Sequence, residues 1–138
     1  MDDTTDPMVL ALRAWAAEGE PAHVRAALEL LIKQGWLRRR DFTRACVSAY
    51  TSGGESVTCI DWQKARAFLA RAPIGSTTEL AILDLAVILA HDRFRLANMG
   101  HVHRQRIAHA VAQAAGLEGR VADAGGSPGE GGARWTPM

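Results

Sequence analysis

Apolar residues recur along this chain mostly at spacings of three and four, the mark of helices that each bury one stripe. Asp6 precedes Pro7, and Met8, Val9, Leu12, Trp15 and Ala16 then share one face, which predicts a first helix capped by the aspartate. A second helix is expected from Pro21, with Val24, Ala27, Leu28, Leu31 and Ile32 inward and Gly35 as its left-handed C-terminal stop. Phe42, Ala45, Cys46, Ala49 and Tyr50 predict a third helix, ended by the run from Thr51 to Glu55. The segment 56–60 is short and partly β-branched, and without an evident partner strand it reads as an extended connector.

Asp61 caps a fourth helix with Trp62, Ala65, Phe68 and Leu69 on its face, stopped by Pro73 and Gly75. Ser76-Thr77-Thr78-Glu79 is a capping box opening a helix over 77–91 that is apolar on nearly all sides. Such a helix belongs at the centre of a bundle. Residues 92–100 read as a loop that tucks Phe94, Leu96 and Met99 inward, followed by a sixth helix with Val102, Ile107, Ala110, Val111 and Ala114 as its inner face and Gly116 as its stop. The expected fold class is therefore all-α, a single compact bundle of about six helices over 7–116. Flanking it are a flexible start at 1–6 and a glycine-rich tail at 117–138 that cannot bury enough apolar surface to order itself.

Composition narrows the setting. No apolar run approaches the roughly 20 residues of a membrane span, and the acidic opening is unlike a secretory signal, so a cytoplasmic protein with no membrane partner is expected. Arginine heavily outnumbers lysine and alanine is abundant, the bias of a GC-rich bacterial coding sequence. The net charge of +1 conceals an acidic first quarter and a basic middle, which permits a polyanionic partner.

The basic residues supply the main candidate chemistry. Arg38, Arg39 and Arg40 are consecutive, Arg44 follows one turn later, and Arg104 with Arg106 open another helix. Such side chains can grip successive phosphates, although arginine runs are also common as plain solvated helix surface. The helix pair 21–35 and 38–50 resembles a helix-turn-helix only loosely, because its second member is poor in base-reading side chains. Trp36 sits at a helix junction where half-burial is normal, while Trp135, beside Arg134 in the tail, has the composition of a protein-binding anchor.

His91, His101 and His103 cluster in sequence, but a two-residue spacing on a helix points side chains in nearly opposite directions and fits no zinc pattern. No nucleophile elbow and no phosphate-cradling glycine loop is present; Cys46 reads as a core residue and Cys59 as the better thiol candidate. No cofactor is implied. The sequence therefore favours a non-enzymatic helical protein that binds a protein partner through Trp36, Arg134 and Trp135. Behind it stand a nucleic-acid-binding module using the arginines and, third, a metal-dependent or thiol enzyme.

Overall fold

The computed structural model describes residues 6–117. Its element order is α1 (Pro7–Gly19), α2 (Ala22–Lys33), a 3₁₀ turn (Trp36–Arg38), α3 (Arg40–Cys46), β1 (Val47–Ser52), β2 (Glu55–Ile60), α4 (Trp62–Ala70), α5 (Thr77–Ala90), a second 3₁₀ turn (Leu96–Asn98) and α6 (His101–Ala114). The local signals act as expected at most helix starts. Asp6 accepts from the Met8 amide at 2.8 Å, and Asp61 accepts from the Lys64 amide at 3.0 Å. In the capping box the Ser76 hydroxyl accepts from the Glu79 amide at 3.1 Å, and the Glu79 carboxylate accepts from the Ser76 amide at 2.8 Å. Gly35 takes the left-handed conformation that stops α2 (φ 84°).

The molecule is mostly helical, but it is not all-α. α3 ends at Cys46 and not near Tyr50, and the chain turns into an antiparallel hairpin in which Val47 pairs with Ile60 and Ser52 with Glu55. The expected connector at 56–60 is thus the second strand. Two features explain the correction. Val47, Tyr50, Thr51, Val57, Thr58 and Ile60 are β-branched or aromatic, and Gly53 and Gly54 both adopt positive φ, as the tightest two-residue hairpin turns require. The Asp61 amide donates to the Cys46 carbonyl at 2.8 Å, tying the base of the hairpin to the end of α3.

Two contact units divide the chain, Met1–Phe94 and Arg95–Met138. In the first, α1 packs on β2 and α2, α2 packs on α5, and α4 packs on both α3 and α5. Its core joins Val9, Leu12, Leu28, Leu31, Trp36, Phe42, Ile60, Phe68 and Leu83, among others. α5 buries Leu83, Ala86, Val87 and Ala90 but leaves Leu85 46% exposed, so this helix lies against the core along one side and is not enclosed all round. Phe94, expected to be tucked inward, is 61% exposed.

In the second unit, the short 3₁₀ turn precedes α6, and Arg104 donates to the carbonyls of Met99 (2.8 Å) and Ala97 (3.0 Å), fastening the turn to the helix. Val102 and Val111 of the expected inner face are exposed, and Ala112 is the residue that α6 buries. The stretches 1–5 and 118–138, which hold most of the expected flexible start and glycine-rich tail together with Arg134 and Trp135, lie outside the described residues. Among the described residues no helix is long and apolar enough to cross a membrane.

Candidate anion-binding cleft

The arginines of the 38–44 cluster turn out to have different occupations. Arg39 is a structural residue. Its guanidinium lies 4.4 Å from the centre of the Trp36 ring and donates to both carboxylate oxygens of Asp41, at 3.0 and 2.6 Å. This fork holds the Asp41 carboxyl below its usual range and raises Arg39 above its own. Trp36 beneath it is 1% exposed, against the expected half-burial, because it fills the corner between Phe42 (ring centres 5.7 Å) and Phe68 (6.3 Å). Trp36 is therefore withdrawn from any contact surface, and Arg104, bonded to two carbonyls, is likewise occupied. Arg38 also has an interaction partner within the protein.

Arg44 is placed differently. Asp41, Arg44 and Ala45 form one face of α3 at helical spacing, and Lys64, Ala67 and Arg71 form one face of α4 and its end. The two faces line an open cleft of about 360 Å³. Ala45 and Ala67 are small enough to leave the space clear. Arg44, Lys64 and Arg71 thus share one concavity, and none makes a side-chain hydrogen bond or ion pair with another described residue. The nearby carboxylate, Asp41, already accepts from Arg39. Arg40, exposed at the start of α3, extends the positive charge beyond the cleft. Arg106 lies exposed on α6, in the other unit.

Of the six basic residues picked out by sequence, one lines this cleft, while Lys64 and Arg71 were passed over. A signal for them existed: they stand exposed on one stripe of α4 at i, i+7 spacing, flanking the face that buries Ala65 and Phe68.

The other candidates resolve as follows. Cys46 is buried, and loss of solvation pushes its thiol up to about 12, so it stays protonated and inert. Burial and the acidic Asp61 and Glu20 raise the Cys59 thiol as well. His91 follows the last turn of α5, and His101 and His103 open α6. No group of three or more histidine, cysteine, aspartate or glutamate side chains among the described residues could hold a metal ion. With α3 only 7 residues long, the loosely read helix-turn-helix lacks a second helix of the needed length.

Comparison of the chain with protein-family models, curated proteins and solved structures finds no match.

Proposed function

We propose that this protein is a non-enzymatic binding module whose partner is a nucleic acid, held through its phosphates by Arg44, Lys64 and Arg71. One observation carries the reading: three cationic side chains from two helices converge on an open cleft without counter-ions of their own. Unpaired cations gathered this way raise the local potential and favour a chain of negative charges that releases its bound counterions on contact. Arginine forks suit phosphate oxygens, and the lining holds no asparagine or glutamine to read base edges, so the expected binding tolerates any sequence. A protein partner held through Trp36 has less support, because that indole is buried in the core.

Fluorescence anisotropy with short labelled oligonucleotides of mixed sequence, at a series of salt concentrations, tests the proposal. The expected result is a log affinity falling linearly with log salt. The combined Arg44→Gln, Lys64→Gln and Arg71→Gln variant should flatten that slope by about three, roughly one for each lost phosphate contact. Lack of binding at low salt, or a slope the triple variant leaves unchanged, would refute it.

A further inference from the structure

A second concavity lies on the other side of α4, where Arg66 and Leu69 face Asp84, Val87, Ile88 and His91 of α5, with Arg93 just beyond. It encloses about 510 Å³, within the range of small-molecule sites. Its floor is apolar: Val87 is buried, Leu69 is half-buried against the core, and Ile88 is half-buried. Its rim is charged and unpaired, since none of Arg66, Asp84, His91 and Arg93 makes a side-chain hydrogen bond or ion pair with another described residue.

The charges are separated along the groove. Asp84 precedes His91 by two helical turns, about 10 Å along the α5 axis, whereas Arg93 follows His91 closely in the chain. The C-terminal end of α5 and the residues just after it therefore bring His91 and Arg93 to the lining, Val87 and Ile88 supply apolar floor, and a second guanidinium, Arg66, stands on the facing helix.

We propose that this groove binds a small amphipathic carboxylate of the fatty-acid kind, its head group held by Arg93 and Arg66 and its hydrocarbon body lying on Leu69, Val87 and Ile88. Charge complementarity selects the ligand: the rim carries two arginines against one aspartate, and a guanidinium fork matches a carboxylate oxygen for oxygen. The apolar floor disfavours ligands that are charge throughout, such as the polyanion assigned to the α3–α4 cleft. The site is separate from that cleft and does not rest on it.

Isothermal titration with dodecanoate below its micelle concentration tests this, with dodecyltrimethylammonium as the matched cation. Dodecanoate should bind about tenfold or more tighter than the cation, and the Arg66→Gln, Arg93→Gln double variant should lose about tenfold in dodecanoate affinity. The Arg44→Gln variant, altered in the other cleft, should bind dodecanoate as the unmodified chain does. Methyl resonances of Leu69 and Ile88 in the unmodified protein should shift on titration, a readout independent of any variant's folding. Equal affinity for both amphiphiles, no heat with dodecanoate, an unaffected double variant, or unperturbed Leu69 and Ile88 methyls would each overturn the proposal.

Discussion

Trp36, Phe42 and Phe68 form a triangle of tilted and edge-on rings with centres 5.5–6.3 Å apart, and they join the α2–α3 corner to α4. Each is 6% exposed or less. Tilted and edge-on pairs of this kind add to the stabilisation that burial supplies. The Trp36 indole N–H is buried without an acceptor among the described residues, so part of the gain is offset by a lost hydrogen bond to water. The two contributions separate by substitution. Trp36→Ala should cost about 3–5 kcal/mol, as large aromatic truncations do. Trp36→Phe should cost less than about 1.5 kcal/mol, because it removes the unsatisfied donor while keeping most of the ring. Urea denaturation followed by circular dichroism measures both. A Trp36→Phe cost equal to that of alanine would show that the indole N–H is well satisfied and that shape alone matters.

At the scale of elements, the start of α5 is fastened by reciprocal bonds between Ser76 and Glu79, and the start of α3 by the Arg39–Asp41 fork. Glu79 is held below its usual range chiefly by the Ser76 amide, and Asp41 chiefly by Arg39. A carboxylate whose folded value is depressed contributes stability above its unfolded value, near pH 4. That contribution fades as pH falls through the lower folded value. The urea midpoint should therefore drop on acidification below about pH 4, and Asp41→Asn with Glu79→Gln should make the drop shallower. At neutral pH, Ser76→Ala should cost about 1 kcal/mol. An acid limb identical in the carboxamide variant would place the loss in other carboxylates. These starts were legible in the sequence because a cap is a local event between residues two or three apart. The hairpin was not read, because Phe42, Ala45, Cys46, Ala49 and Tyr50 keep a helical period past the point where α3 stops. The Gly53-Gly54 turn and the β-branched residues on either side of it were the competing signal, and they prevail because pairing β1 with β2 satisfies backbone groups that a longer helix would have satisfied locally. The cleft was legible only in part for a related reason: Arg44 stands in a conspicuous run, while Lys64 and Arg71 become its neighbours only through the packing of α3 on α4.

Across the whole chain, burial is unevenly shared. Among the described residues, every member of the main core cluster lies between Val9 and Ala90, and α6 buries only Ala112, outside that cluster. Of the apolar residues that give α6 its helical stripe, Val102 and Val111 stand 55% and 60% exposed. A helix of 14 residues with so little burial is close to the length at which isolated helices are marginal in water. It is also entered without a side-chain cap at Gly100, so its first amides lack the partner that Ser76 supplies to α5. The carbonyl bonds from Arg104 fasten its first turn to the preceding segment, but they do not add apolar burial. Local opening of α6 should therefore require less free energy than opening of α2 or α5, whose amides are sequestered beneath Leu28, Leu31 and Leu83. In native-state hydrogen exchange followed by mass spectrometry, peptides covering 101–114 should exchange well before those covering 22–33 and 77–90. Low concentrations of urea should leave the α6 rate nearly unchanged while accelerating the other two, because opening α6 exposes little new surface. Exchange of α6 at the same rate and with the same urea dependence as α2 would show that it opens only with the core, and that its stability comes from burial beyond Ala112.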